Sequence, residues 1–146
     1  MAVATPKLSD QLCFDLYAAS RAVTSAYRPV LGELGLTYPQ YLVMLVLWEN
    51  GTRTVRELTE TLRLDHGTLT PVLRRMEANG LITRRRAAGD ERVVEIDVTE
   101  AGAALGAHAE QIHCDMKAAI AFTDEQFQDL QATLRLLTAN VSEPAE

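Results

Sequence analysis

The apolar residues between positions 54 and 98 change their spacing at Gly80, and this change limits the folds that the chain can adopt. Before Gly80, two short segments with helical spacing, 54–62 and 66–79, are separated by a turn of three residues. After Gly80, the stretch Val94-Glu95-Ile96-Asp97-Val98 alternates apolar and charged residues, the period of a half-buried strand. The pattern predicts two short helices joined by a tight turn and followed by a β-hairpin, which is a helix-turn-helix with a wing.

Two further helices are predicted before this region. Apolar residues recur at helical spacing over residues 8–35, with Ser9 or Asp10 as the candidate N-cap. Pro29 is expected to bend this helix or to loosen one turn. The next helix, over about 37–50, is apolar on nearly every face and is therefore predicted to be buried.

Several helix starts are marked by the spacing of threonine residues. Thr54 with Glu57, and Thr123 with Gln126, have the spacing of a capping box, in which each side chain bonds the backbone of the other residue. The second pair falls at a break in an otherwise helical stretch over 100–140. Thr99 and Gly102 have the same spacing without a capping-box partner, so helix starts are expected near 54, 99 and 123.

The terminal helices, over 8–35 and 100–140, carry more apolar surface than the compact region between them can cover. Most soluble oligomers are two-fold dimers, and a two-fold dimer matches palindromic DNA, so we expect a homodimer formed through these helices. The predicted fold is mainly α with a small β-hairpin. Residues 1–146 form one domain in this prediction, and residues 37–99 form its winged helix-turn-helix, with the wing at 82–98.

The net charge of −6 is unevenly distributed. Residues 53–92 hold nine arginines and six acidic residues, a local charge of +3, whereas the rest holds five basic and fourteen acidic residues, a charge of −9. A basic segment carried on an acidic scaffold favours a nucleic-acid partner. We therefore expect the segment 53–92 to face double-stranded DNA.

The compartment is predicted from what the sequence lacks. No run approaches the roughly 18 apolar residues of a membrane span, and the N-terminus has no basic-then-apolar signal order. We therefore expect a cytoplasmic protein with no membrane contact. The two cysteines, Cys13 and Cys114, are then not expected to form a structural disulfide by default.

Candidate DNA contacts lie in the second short helix and in the wing. Short hydroxyl side chains and arginines in these positions can reach base edges and phosphates. The candidates are Asp65, His66, Thr68, Thr70, Arg74, Arg75, Arg84, Arg85, Arg86, Asp90 and Arg92. An arginine cluster alone is equally consistent with a solvated surface, and the order of helix, turn, helix and basic hairpin is what favours DNA.

Pro71 leaves two starts open for the second short helix. With Thr70 as the N-cap, Pro71 is the first helical residue, a favoured position for proline. With Asp65 as the N-cap, Pro71 lies inside the second turn.

A polar stripe containing a thiol runs along the first helix. Its members are separated by four, three, four and three residues and share one face at 100° per residue; they are Cys13, Tyr17, Ser20, Thr24 and Tyr27. Near a helix start, the helix dipole favours the thiolate, which is the form of cysteine that attacks peroxides. The alternative is that Cys13 is a small buried apolar residue and that the tyrosines belong to the core.

The chain resembles the MarR family of transcriptional regulators over nearly its whole length. The resemblance is carried by Asp65-His66-Gly67-Thr68-Leu69-Thr70-Pro71, Gly80-Leu81-Ile82, Asp90-Glu91-Arg92-Val93-Val94 and Thr99-Glu100-Ala101-Gly102. It implies that Arg92 enters the minor groove and pairs with an acidic residue, for which Asp65 and Asp90 are the candidates. His66 departs from the family, whose close relatives usually have serine there.

The N-terminal half resembles one subgroup of this family, the OhrR-type organic hydroperoxide sensors. The matching residues are Leu12-Cys13-Phe14-Asp15-Leu16-Tyr17, Tyr27 and Thr37-Tyr38-Pro39-Gln40-Tyr41. The resemblance implies that Cys13 is oxidised to sulfenic acid and that Tyr27 and Tyr38 hydrogen-bond it across the dimer, with Tyr17 as a further supporting residue. It also makes Cys114 the candidate resolving thiol of the other subunit, with a small-molecule thiol or an inert Cys114 as alternatives.

These observations predict a DNA-binding repressor that senses organic hydroperoxides through Cys13 and then releases its operator. The alternative is a MarR-type repressor released by a small aromatic ligand without redox chemistry. We expect no enzyme activity, because no phosphate loop, CxxC or paired-carboxylate motif accompanies the thiol. We also expect no cofactor and no metal, since His108, His113 and Cys114 do not converge on one helix face.

Overall fold

A computed structural model describes residues 4–142 and contains seven α-helices and three strands in that range. The elements in chain order are α1 (Leu12–Gly32), α2 (Tyr38–Asn50), β1 (Arg53–Thr54), α3 (Val55–Leu62), α4 (His66–Ala78), β2 (Ile82–Ala87), β3 (Asp90–Val98), α5 (Glu100–Leu105), α6 (Ala109–Ile120) and α7 (Asp124–Ser142). The predicted mainly α fold with a small hairpin is confirmed.

The chain forms two compact units, the first ending at Ile112 and the second beginning at His113, inside α6. The second unit consists of the rest of α6 and α7. No helix within residues 4–142 is both long enough and apolar enough to cross a membrane.

The first unit is built around the buried helix α2, as its apolar sequence predicted. Val43 and Met44 have no exposed surface, and Leu47 is 2% exposed. Fully buried side chains from α3, α4 and both long strands belong to the same core, namely Leu58, Leu69, Leu73, Ile82 and Ile96. One core therefore fixes α3, α4 and the base of the hairpin together.

The sheet is antiparallel with the order β1-β3-β2. In the hairpin, Ile82 lies opposite Val98 and Arg84 lies opposite Ile96, and the turn passes through Gly89 at a φ of +93°. Strand β1 was not predicted, because two residues are too few to show a period. It pairs Arg53 with Ile96 and so joins the start of α3 to the hairpin.

The predicted capping boxes are present, and the predicted cap of α1 is wrong. Thr54 and Glu57 bond each other's backbone N–H at 3.1 and 2.8 Å, and Thr123 and Gln126 do the same. At α1, neither Ser9 nor Asp10 caps the helix, because residues 8–10 form a 3₁₀ turn and an extended Gln11 becomes the N-cap.

The C-terminal helices are divided more finely than predicted. A 3₁₀ turn at Gly106–His108 separates α5 from α6, where the sequence indicated one helical stretch. The break before α7 was predicted, and Ala121 turns the chain there with a φ of +56°.

The Thr-x-x-Gly motif at 99–102 locks α5 onto the hairpin base. The Thr99 hydroxyl accepts the Gly102 N–H at 3.1 Å and donates to the Gly80 carbonyl at 2.5 Å. Gly102 packs so closely on Leu81 that a Cβ would overlap the Leu81 carbonyl oxygen, and the Gly102 carbonyl accepts the Trp48 indole N–H at 3.0 Å. Glycine is therefore required at position 102 because there is no room for a side chain, and not because the backbone has a positive φ.

We expect Gly102→Ala to lower the free energy of unfolding by about 1–3 kcal/mol, because backbone must move to admit the methyl group. Gly32→Ala is the matched control, since a Cβ there meets no atom within 4 Å. It should leave stability unchanged or raise it by up to about 1 kcal/mol through helix propensity. Urea unfolding of both variants measures this, and equal destabilisation by the two substitutions would contradict the packing argument.

Candidate nucleic-acid interface and thiol site

The first turn of α4 is exposed and is capped by Asp65. The Asp65 carboxylate accepts the Thr68 N–H at 2.7 Å, so Asp65 is the N-cap and Pro71 lies inside the second turn. Hydrogen bonds from the Thr68 side chain and backbone lower the pKa of Asp65. His66 and Thr68 are both exposed beside this cap.

An open groove of about 790 Å³ lies between α3, α4 and the hairpin. His66 and Thr70 of α4 line one side, Arg56 lies on α3, and Arg92 lies on β3. Glu57 and Glu60 also line it, and Glu60 pairs with Arg56 at 3.1 Å. Arg74 and Arg75 are exposed further along α4. Of the predicted DNA contacts, His66, Thr70, Arg84 and Arg92 line this groove.

Three wing arginines are exposed, and the side chain of each makes one ion pair or hydrogen bond with a nearby residue of the hairpin. The Arg92 side chain is 92% exposed, and its Nε lies 3.3 Å from the Asp90 carboxylate. Asp90, rather than Asp65, is therefore the acidic partner of Arg92 in this chain. Arg85 pairs with Glu95 at 3.2 Å, and Arg86 donates to the Glu91 carbonyl at 2.6 Å.

Arg84 differs from the other wing arginines, because Glu77 of α4 holds it. The Glu77 carboxylate accepts the Arg84 backbone N–H at 3.2 Å, Nε at 3.2 Å and Nη2 at 3.1 Å. These hydrogen bonds hold the pKa of Glu77 below its ordinary value. As a DNA contact, Arg84 stays a prediction, and its guanidinium is already paired within the chain.

Cys13 lies in the first turn of α1, and its thiol is exposed. Tyr17 lies one turn further along the same face, is 61% exposed, and has the Arg21 guanidinium over its ring at 5.4 Å. The prediction of a small buried cysteine is therefore not met in the single chain. The thiol is open to a reagent or to another chain.

Three tyrosines cluster at the other end of α1. The ring of Tyr27 lies 4.8 Å from that of Tyr38 and 5.7 Å from that of Tyr41. Burial, with the two neighbouring phenols, raises the pKa of Tyr27 to about 12, and burial raises the pKa of Tyr38 and Tyr41. All three phenols remain protonated at neutral pH and can donate hydrogen bonds.

An open cavity of about 370 Å³ adjoins this cluster. Tyr27, Tyr38 and Arg28 line it with apolar Leu31 and Leu36. Tyr41 was part of the resemblance but was not predicted as a supporting residue, although its spacing of three residues from Tyr38 places both on one helix face.

Cys13 and the tyrosine pair do not meet within one chain. Tyr27 follows Cys13 by 14 residues in the continuous helix α1, and at 1.5 Å per residue the two are about 21 Å apart along the axis. Of the predicted supporting tyrosines, only Tyr17 is near Cys13 in the same protomer. Any contact of Tyr27 or Tyr38 with the thiol requires a second copy.

Cys114 lies on α6 and is exposed as a free thiol. It belongs to the second compact unit. Within the part of the chain that the structure describes, no group of three or more His, Cys, Asp or Glu side chains is arranged to hold a metal ion.

The helix α3, the exposed start of α4 and the arginine-rich hairpin define the chain as a winged helix-turn-helix DNA-binding protein. The family model of the transcriptional regulators SarA and Rot matches residues 25–107. The organic hydroperoxide resistance transcriptional regulator of Bacillus subtilis is 59% identical over 99 residues, which is 68% of this chain and 67% of that protein. The chain therefore belongs to this MarR-like family of transcriptional regulators, whose members are not enzymes.

Two further relatives extend the comparison. The regulator TtmR of Methylorubrum extorquens is 52% identical over 98 residues, which is 67% of this chain and 50% of that protein, so the matched segment spans half of TtmR. The solved structure of reduced AbfR bound to DNA has a TM-score of 0.70 and 35% identity, and covers 89% of this chain and 94% of that one. AbfR, from Staphylococcus epidermidis, has also been solved with a disulfide formed, at a TM-score of 0.62 and with 89% and 91% covered.

The stability that Asp65 contributes should depend on pH. Its pKa is lower in the folded chain than in the unfolded chain, so its stabilising effect is complete above the unfolded value of about 4 and is lost as the pH falls through the folded value. Asp65→Asn keeps a capping oxygen and removes this titration. Urea unfolding between pH 7 and pH 3 should show the advantage of wild type over Asp65→Asn shrinking in acid. A difference that stays constant with pH would contradict the assigned cap.

Proposed function

We propose that the protein is a dimeric repressor that senses organic hydroperoxides through Cys13 and then releases a palindromic DNA operator. The observation that carries the redox part is an exposed thiol at the start of α1, about 21 Å along the helix axis from Tyr27, whose ring packs against Tyr38 at the start of α2. A site that needs both groups is completed by two chains. The likeness to a hydroperoxide resistance regulator supports the same reading.

A second copy has apolar surface available to it at both ends of the chain. Among residues 4–142, the large exposed apolar side chains all lie within 8–23 and 122–141; they are Leu8, Leu12, Phe14, Tyr17, Val23, Phe122, Leu130, Leu134, Leu136 and Val141. Surface of this kind marks protein interaction sites. We assign it to the homodimer, in which residues 8–35 and 100–140 supply the interface.

On DNA, each α4 of the dimer enters the major groove at one half-site, one DNA turn from its partner. His66, Thr68 and Thr70 face base edges or phosphates, and Arg74 and Arg75 pair with phosphate or guanine. Arg85, Arg86 and Arg92 of the wing extend the contact, with Asp90 orienting Arg92. This arrangement places the basic segment of the chain against the phosphates.

The sensing step transfers one oxygen atom. The Cys13 thiolate attacks the outer oxygen of the hydroperoxide, the O–O bond breaks, and the alkoxide leaves as an alcohol after taking up a proton. Sulfur is oxidised to sulfenic acid, and the peroxide is reduced. Tyr27 and Tyr38 of the partner subunit donate hydrogen bonds to the sulfur or its oxygen, which their protonated state permits.

A thiol then resolves the sulfenic acid by forming a disulfide and releasing water. The candidate is Cys114 of the partner subunit, which is exposed, and a small-molecule thiol is the alternative. The solved disulfide form of a 35% identical relative supports a step of this kind. A non-reducing gel that shows only monomer after oxidation would count against Cys114.

Release of DNA follows from a change in the spacing of the two α4 helices. The reduced and oxidised dimers need to differ by only about 1–3 kcal/mol in their affinity for the operator to change occupancy by 5- to 150-fold. New bonds at the thiol, which lies in the dimer interface, can supply that difference by favouring another arrangement of the two chains.

A second candidate function is release by a small aromatic ligand. The cavity of about 370 Å³ favours it, since Tyr27, Tyr38 and Arg28 offer polar groups beside apolar Leu31 and Leu36. Such a ligand would act without Cys13, and this distinguishes the two functions.

We expect an equimolar organic hydroperoxide to release wild-type protein from DNA and to leave Cys13→Ser bound, because serine cannot be oxidised. The probe is the palindromic duplex that wild-type protein selects from a random-sequence library, and fluorescence anisotropy measures its binding. Cys114→Ser is the matched control, since it removes the other thiol and should still release DNA at the sulfenic-acid stage or with added small thiol. Release of Cys13→Ser by peroxide would contradict the redox proposal and leave the DNA-binding assignment in place.

A further inference from the structure

Glu77 is an acidic residue on the helix that faces DNA in the proposed function, and this position requires an explanation. A carboxylate near the phosphates lowers DNA affinity by charge repulsion. Glu77 also occupies the guanidinium of Arg84, which otherwise would be available to DNA. On charge alone, both effects make Glu77 unfavourable for binding.

The geometry of the pair explains what Glu77 does instead. It accepts three hydrogen bonds from Arg84, one of them from the backbone N–H, so it holds the strand itself as well as the side chain. The Arg84 side chain is 31% exposed, against 64% for Arg85 and 92% for Arg92. The pair therefore lies where β2 leaves the core and the exposed part of the wing begins.

The wing beyond this point projects from its base, so a small rotation at the base displaces the residues near the tip. Arg84 is opposite Ile96. Arg92 lies on β3 four residues from Ile96 toward the turn of the hairpin, which is about 13 Å from Ile96 at the rise of a strand. A tilt of about 10° at the base would displace Arg92 by roughly 2 Å, which is enough to break a hydrogen bond. A fixed base is therefore needed for Arg92 to keep a constant position relative to α4.

We propose that Glu77 is a positioning residue, which with Arg84 sets the wing at a fixed angle to α4 so that Arg92 reaches its DNA contact. The inference rests on the proposed docking of α4 and the wing on DNA. It assigns Arg84 to the protein's own framework rather than to a phosphate.

The direction in which one substitution changes the affinity for DNA distinguishes the positioning role from charge repulsion alone. Glu77→Gln removes a negative charge near DNA and frees Arg84, so charge alone predicts tighter binding. The positioning role predicts binding to the selected palindromic duplex that is weaker by about tenfold, with no loss of fold by circular dichroism. Unchanged or tighter binding overturns the inference.

A double-mutant cycle with Arg92→Ala tests whether Glu77 acts through the wing. Glu77→Gln should cost about tenfold in wild type and almost nothing in the Arg92→Ala background, because the contact that it positions is then absent. An equal loss in both backgrounds would mean that Glu77 acts elsewhere, and overturns the inference.

Exchanging the pair tests Arg84 and guards against misfolding of a single variant. The double variant Glu77→Arg with Arg84→Glu restores the ion pair and should bind more tightly than Arg84→Glu alone. A direct phosphate contact by Arg84 would not be restored. In the Arg92→Ala background, where the positioned contact is already absent, Arg84→Gln should leave the slope of log affinity against log salt unchanged, whereas loss of a phosphate contact lowers it by about one; a lowered slope overturns the inference.

These outcomes are separate from those of the proposed function. If wild-type protein selects no duplex, the DNA-docking proposal fails, and the inference fails with it. If wild type binds and Arg92→Ala weakens binding, the docking stands, and the Glu77 results alone decide the inference.

Discussion

The packing of α2 determines where the DNA-facing elements lie. Val43, Met44 and Leu47 of this helix are buried in the same core as side chains from α3, α4, β2 and β3. Because interiors are close-packed, these elements cannot shift independently without opening a cavity. The groove between α4 and the hairpin is therefore preformed. The close approach of Gly102 to Leu81 holds α5 against the same hairpin base.

The proposed thiol site differs from this preformed groove, because a single chain holds its thiol and its tyrosines far apart. Cys13 is exposed at one end of α1, and the tyrosine cluster lies near the other end, at a separation fixed by the length of the helix. A site divided in this way responds only when two chains are correctly placed. In the proposed function, oxidation consequently changes the arrangement of the dimer itself, and this arrangement also sets the spacing of the two α4 helices.

Much of this could be predicted from sequence, because the periodic signals were strong. The alternation of Val94, Ile96 and Val98 predicted the wing, and the Thr54–Glu57 spacing predicted a capping box that is present. Features set by tertiary contact were not predictable. The acidic partner of Arg92 was left open between Asp65 and Asp90, since only the folded chain shows that Asp65 caps α4. The bonds of Arg84 to Glu77 likewise join two elements, and no spacing rule indicates them.

The central claim, that Cys13 of one subunit is served by tyrosines of the other, is tested most directly in mixed dimers. One mixture pairs a Cys13→Ser chain with a Tyr27→Phe, Tyr38→Phe chain, so that one site keeps both the thiol and the tyrosines. The other pairs wild type with a chain carrying all three substitutions, so that no site is complete. With a different affinity tag on each chain, the heterodimer is isolated from each mixture, and mass spectrometry of Cys13 oxidation should show a wild-type rate for the first heterodimer and a slow rate for the second. Equal rates in the two mixtures would contradict the shared site.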